Sequence, residues 1–174
     1  MDAERLIFLD ESGAKTNMTR LCARVKGGAR AYDWTPSSHW STTTMISSLR
    51  LNGQTAAMVL DGATDRASVV EYVRQVLAPT LRPGDGVVLD NLSSHKNPAV
   101  RRLIEQRGAS LRYLPPYSPD LNPIEKMWSK VKELLRGAKA RTEEALFEQI
   151  GKAFERVTPD DAAGWFTSCG YVLQ

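Results

Sequence analysis

A chain of 174 residues with 42% apolar and 25% charged residues has the composition of an ordinary globular domain built on one core. Its two cysteines, Cys22 and Cys169, lack metal-ligand spacing and a close His or Cys partner, which argues against a structural zinc site and fits reduced thiols in a cytosolic protein. No stretch approaches the roughly 20 apolar residues of a membrane span, and the apolar run at Leu6 to Leu9 is too short and too charge-flanked for a signal peptide.

In chain order, the first strand is expected over Arg5 to Asp10, where an apolar run meets Asp10 and Glu11. Met18 to Val25 and Ala29 to Trp34 flank Lys26, Gly27 and Gly28, which reads as a hairpin closed by a glycine turn. Thr42 to Leu51 and Gln54 to Leu60 flank Asn52-Gly53, a type I′ turn signal and the clearest hairpin of the chain. Asp65 to Leu77 carries Val69, Val70, Val73, Val76 and Leu77 at the spacing of one helical face, and Pro79 and Pro83 end it. Gly86 to Asp90 is a short apolar strand, Pro98 to Arg107 a helix stopped by Gly108, and Ser110 to Leu114 a further strand. Helices follow over Pro123 to Arg136 and Glu143 to Val157, with a short one after Thr158 and Pro159. With the Met18 to Trp34 hairpin set aside as an insertion after the first strand, the order is βββαβαβα. This is an α/β chain with a mixed five-stranded sheet flanked by helices, the arrangement of the ribonuclease H-like fold. One domain spans residues 1–174.

Charge is unevenly spread. Between Arg101 and Arg141 there are ten Lys and Arg against four Asp and Glu, whereas Thr142 to Gln174 holds two against six, although the net charge is only +3. A basic middle segment suits a polyanionic substrate, and a solvated helix face is the other reading.

The segment Leu114 to Trp128, LPPYSPDLNPIEKMW, lies in that region. Asn122 followed by Pro123 marks a helix start, which puts Glu125 at the third helical position. With Asp10 and Asp90, each at an expected strand end, Glu125 completes three carboxylates. Sites for phosphate chemistry hold divalent ions with a few such oxygens and leave the other positions to substrate and water. Three converging carboxylates without a cation would repel one another and raise their pKa values. Each also has a plainer reading: Asp10 as a strand end, Asp90 with Asn91 as a turn pair, Glu125 as a capping-box glutamate. Asp61 and Asp120 fit turns better, and Glu11 is only a neighbour of Asp10. His95 could orient water or meet a phosphate, or be a loop histidine; Lys96 adjoins it. Trp128 shares a helical stripe with Ile124, Met127, Val131, Leu134 and Leu135 and reads as core, while Lys126, Lys130, Lys132 and Arg136 lie off that stripe where phosphates could be met.

The blocks FLDESG, VVLDNLSSHK and LPPYSPDLNPIEKMW, in this order, resemble the three catalytic blocks of the mariner-like superfamily of DDE transposases, in its bacterial insertion-sequence branch. The 34 residues between Asp90 and Glu125 match the spacing of that superfamily, and similarity extends over HWSTTT, APTLRPGD and the C-terminal helices. The resemblance implies that Asp10, Asp90 and Glu125 bind two Mg²⁺ or Mn²⁺ ions, that a phosphodiester is hydrolysed at a transposon end, and that the freed 3′-hydroxyl attacks target DNA without a covalent protein intermediate. It implies DNA as partner and a homodimer on DNA, in a cytoplasmic bacterial protein associated with the nucleoid and not with a membrane. The insertion after Asp10, with Lys15, Arg20, Arg24, Lys26 and Arg30, falls where relatives carry a loop for DNA or dimer contact. Relatives begin with helix-turn-helix domains, whereas this chain starts close to its first catalytic strand. A separately encoded or frameshift-fused DNA-binding domain is therefore expected, with a fragment as the other reading. Alone, the chain should bind DNA weakly, through a salt-sensitive phosphate term. Two rival readings stay open: a ribonuclease H-like endonuclease that does not transpose, and an inactive DNA-binding or regulatory remnant.

Overall fold

The structure is a computed structural model and describes residues 2–37, 40–91 and 96–172. Five strands form one sheet: β1 (Leu6–Lys15), β2 (Thr42–Arg50), β3 (Thr55–Asp61), β4 (Gly86–Leu89) and β5 (Ser110–Tyr113), in the spatial order β3-β2-β1-β4-β5. The hairpin-linked strands β1, β2 and β3 pair antiparallel, and the strands that arrive after helices, β4 and β5, pair parallel. The helices are α1 (Arg66–Tyr72), α2 (Pro98–Glu105), α3 (Pro123–Ala138), α4 (Glu143–Glu155) and α5 (Pro159–Ser168). α1 runs on into a widened π turn over Val73–Leu77.

Period-two alternation divides the core between the two faces of the sheet. Leu6, Phe8, Met45, Leu49 and Val88 pack under α3, α4 and α5 through Ile124, Met127, Trp128, Val131, Leu146, Ile150 and Phe166. Ile7, Leu9, Ile46, Val87, Leu89 and Leu111 pack under α1 and α2 through Val69, Tyr72, Val73, Leu77, Val100 and Ile104. The sheet thus lies between two helical layers. Trp128 is buried, as its stripe predicts, and its ring meets Phe154 edge-on. At the edge of the sheet where β4 begins, Arg50 of β2 donates to the buried carboxylate of Asp85 at 2.9 Å and to the Thr80 carbonyl at 2.9 Å, tying two elements far apart in sequence.

Two expectations are corrected. β1 does not stop at Asp10: it continues to Lys15 because β2 is long enough to keep pairing it, with Asp10 opposite Ser47 and Lys15 opposite Thr42. The hairpin over Met18 to Trp34 does not form; the described segment between β1 and β2 is irregular apart from a single 3-10 turn at Lys26–Gly28. Gly27 and Gly28 do take the positive φ that a tight turn needs, at 75° and 73°. The flanking residues, however, lie in solvent, with Leu21, Tyr32 and Trp34 all largely exposed. A two-stranded ribbon with no face to bury is marginal in water, so the turn signal has nothing to propagate.

Candidate active site

The β1–β4 register sets the first two carboxylates side by side. Leu6 pairs with Gly86, Ile7 with Val87 and Phe8 with Val88, and the same offset carried two residues on puts Asp10 level with Asp90, just past the last residue of β4. By alternation both belong to the face of Phe8 and Val88, the face that α3 covers. Glu125 lies in the first turn of α3, and its neighbours Ile124, Met127 and Trp128 are buried against that same face. Two strands and a helix start thus bring Asp10, Asp90 and Glu125 to one region.

Their proximity is felt electrostatically at Asp10, whose pKa is raised from 3.8 to about 7. Burial is the main cause; the Glu11 backbone N–H works against it, and the negative charges of Glu125, Glu11 and Asp90 each push it higher. Glu125 itself is exposed. The capping-box reading of Glu125 finds no support: the Asn122 side chain makes no capping bond, and its backbone N–H is already given to the Pro119 carbonyl at 3.1 Å. Asn122 does hold the N-cap position, with Pro123 at the first helical residue.

Among the described residues, no three His, Cys, Asp or Glu side chains stand close enough together to hold one metal ion unaided. The carboxylates therefore converge without closing into a cage. The donor chemistry nonetheless fits magnesium or manganese: the set is all hard oxygen, it is open to substrate oxygens, and Asp10, raised mainly by burial, also feels the negative charges of Glu125 and Asp90.

The cations expected to meet phosphates differ in their surroundings. Lys126 is exposed and Lys132 half-buried on α3, while Lys130 is engaged by Asp161 of α5, which also closes the capping box of that helix with Thr158. Lys96 is exposed, and His95 lies outside the described residues. Arg20, Arg24 and Lys26 lie on the irregular segment rather than on hairpin strands. Arg20 reaches over Gly137 and, with Arg136, Lys152 and Arg156, borders a cleft of about 780 Å³ at the C-terminal half of α3, away from the carboxylates. Two contributors are hard to read from sequence alone. Glu11 adds to the negative field on Asp10, and Asp161 takes Lys130 out of the exposed set from 31 residues further along the chain.

No helix of the described residues is long and apolar enough to cross a membrane. Residues 5–147 match the family model described as DDE superfamily endonuclease. Over 90 residues the chain is 33% identical to the transposable element Tc1 transposase of Caenorhabditis elegans, which covers 47% of this chain and 33% of that relative. Among solved structures, the Mos1 transposase paired-end complex with left transposon end superposes with a TM-score of 0.71 and 17% identity, over 96% of this chain and 52% of that one. The mariner Mos1 paired-end complex with Mg gives a TM-score of 0.54 and 20% identity, over 99% and 57% of the two chains. These structural likenesses bear on the fold, which is the ribonuclease H-like one. The chain spans about a third of the length of the Tc1 relative and about half of the Mos1 chain.

Proposed function

The chain belongs to the DDE superfamily endonuclease family, and on that premise we propose that it is the catalytic part of a transposase that cuts DNA at transposon ends and joins the freed end to target DNA. The observation that carries this reading is the convergence of Asp10, Asp90 and Glu125 on one face of the sheet, with the charges of Asp90 and Glu125 acting on Asp10.

In this proposal Asp10, Asp90 and Glu125 hold two Mg²⁺ or Mn²⁺ ions. Bound there, the ions supply positive charge that favours ionisation of the attacking oxygen and stabilises the leaving one in an in-line displacement. The chain's own part is to present oxygen donors from rigid elements. Asp10 is fixed in the middle of a paired strand, while Glu125, exposed on the first turn of α3, is the carboxylate with freedom to adjust as substrate arrives. In the first step a water oxygen bonds to phosphorus as the bond to the 3′-oxygen of the transposon end breaks; the water loses a proton and the departing 3′-oxygen gains one. In the second step that 3′-hydroxyl loses its proton and its oxygen bonds to a target phosphorus as the target's own 3′-oxygen departs and takes up a proton. One phosphodiester is exchanged for another, so no external energy source is required.

In this reading exposed Lys126 and half-buried Lys132 meet backbone phosphates, which would fix position rather than sequence. Two copies of the chain, in the same reading, assemble on DNA to act on two ends. That Mos1 forms paired-end complexes, one of them with Mg, supports this reading.

The test is a denaturing-gel assay with labelled DNA carrying the element's ends, in Mn²⁺ or Mg²⁺. Nicked and joined products are both expected, and Asp90→Ala should lower both at least about 100-fold. Unchanged activity in Asp90→Ala would sink the carboxylate assignment. Nicking without joining would instead identify an endonuclease that does not transpose.

A further inference from the structure

Tyr117 combines two unfavourable features. Its backbone has a φ of 56°, the left-handed region that non-glycine residues occupy rarely and at a cost. Its side chain is fully exposed, at 102% of the reference area, so no burial of the ring offsets that cost. An aromatic side chain held out in water from a strained backbone gains nothing for the fold, and glycine would serve the turn better.

The surroundings fix the backbone that carries the ring. Pro115 and Pro116 precede it, and each restricts the residue before it as well as its own φ. The Ser118 hydroxyl donates to the Pro116 carbonyl at 3.3 Å, bracing the turn across Tyr117. Pro119 then opens a 3-10 turn over Pro119–Leu121 that leads directly into α3. The backbone that carries the ring is thus stiff on both sides.

The place is equally specific. Tyr113 pairs with Leu89 at the last step of the β4–β5 ladder, and the Leu114 N–H donates to the Leu89 carbonyl at 2.9 Å, so β5 leaves the sheet beside Asp90. Eight residues after Tyr117, Glu125 stands in the first turn of α3. Tyr117 therefore rides on the connection between the strand next to Asp90 and the helix that carries Glu125.

From this juxtaposition we infer that Tyr117 is a substrate-binding residue whose ring stacks on an unpaired nucleobase beside the reacting strand end. This rests on the proposed DNA chemistry and goes beyond it by naming what is held next to the carboxylates. Exposed aromatic rings are sequence-tolerant platforms for unstacked bases, and truncating one costs enough to read in affinity. Reaction at a strand end is eased when that end is drawn away from its duplex, and a ring carried on a stiff backbone beside the carboxylates would hold the freed base at the ordering cost of one side chain and not of the whole loop.

The experiment uses the whole chain with two DNA probes, a blunt duplex and a duplex with a short single-stranded 3′ overhang containing the fluorescent base 2-aminopurine. Wild-type protein is expected to quench the 2-aminopurine and to prefer the overhang. Tyr117→Gly should abolish the quench and weaken overhang binding about tenfold while leaving the blunt duplex alone. Tyr117→Trp should keep both signals. Because glycine relieves the left-handed backbone, Tyr117→Gly should also melt no lower than wild type. A lower melting temperature would assign the ring to the fold, and a quench or affinity equal to wild type would remove the stacking role; either overturns the inference. Asp90→Ala separates the two ideas, since it should lose cleavage and keep the quench. A wild-type chain that cleaves DNA without quenching defeats the stacking site alone, and one that quenches without cleaving defeats the carboxylate reading alone.

Discussion

At the scale of single residues, the metal-free site carries a cost that can be measured without any DNA. Asp10 in the folded chain has a pKa of about 7 against an ordinary 3.8, from burial first and then from neighbouring negative charge. The folded state therefore holds this proton more tightly than the unfolded state does. The resulting contribution to stability is fully present below about pH 4 and is lost as pH rises through about 7. Asp10→Asn, neutral at every pH and close in shape, should match wild type at pH 4 in chelator and melt higher than wild type at pH 8. Each tenfold change in proton affinity corresponds to about 1.4 kcal/mol, and partial solvent access at Asp10 reduces the whole difference to an order of 2 kcal/mol. Adding Mg²⁺ or Mn²⁺ at pH 8 should raise the melting temperature of wild type and leave Asp10→Asn nearly where it was. Parallel melting curves across the pH range would show that Asp10 is neither held out of water nor crowded by the other carboxylates in the folded chain.

At the scale of elements, the β2–β3 hairpin is both a local turn and a long-range seat. The Asn52-Gly53 signal is local chemistry, and the hairpin forms, but not through the expected type I′ turn: Gly53 has a φ of 78° whereas Asn52 does not take a positive φ. Three residues, Leu51 to Gly53, close the loop between Arg50 and Gln54, with the Gly53 N–H donating to the Arg50 carbonyl at 3.0 Å and the Asn52 side chain accepting from the Gln54 N–H. What the sequence does not disclose is that the hairpin tip rests on the start of α5. A Cβ on Gly53 would lie 2.8 Å from the backbone of Thr158 and Pro159. Gly53→Ala should therefore cost about 3 kcal/mol, backbone strain plus a clash with main chain that cannot swing aside. Gly84→Ala is the control. Gly84 has a φ of 88° but open space around it, so it should lose only about 1 kcal/mol. Equal losses in denaturant melts would mean that the contact with α5 contributes nothing. The same contrast explains the missing Met18 to Trp34 hairpin. Its glycine pair announces a turn just as Asn52-Gly53 does, but β2 and β3 join a sheet with buried faces whereas that segment has only solvent beside it. Helix starts were legible for the opposite reason: the N-cap positions of Asp65, Asn97, Asn122, Thr142 and Thr158 are set by the next few residues, whatever packs later.

At the scale of the whole molecule, the three carboxylates were legible because their types and spacing survive as text, and Asp10's true setting was not. Whether a strand stops or continues at Asp10 depends on how far β2 reaches, which is a property of the sheet. Equally long-range is what holds the irregular segment between β1 and β2, with its exposed Tyr32 and Trp34, against the rest of the protein. α3 ends at Lys139, whose left-handed backbone turns the chain so that the residues after it meet that segment. Arg141 donates to the carbonyls of Thr16 and Met18, both at 2.9 Å, and Lys139 pairs with Asp33 at 2.6 Å. The Arg141 bonds are charge-assisted and hold main chain, so they should matter more than the exposed Lys139 pair. If they set the local stability of the segment, Arg141→Ala should open it without unfolding the sheet. Trypsin should then cut at Arg20, Arg24, Lys26 or Arg30 about tenfold faster, the effect of about 1.4 kcal/mol on a local opening equilibrium. The global melting temperature, governed by the two cores on either side of the sheet, should change little. Unchanged cleavage in Arg141→Ala would move the anchoring to Lys139 and Asp33, while a large drop in melting temperature would make the segment part of the global folding unit rather than an appendage to it.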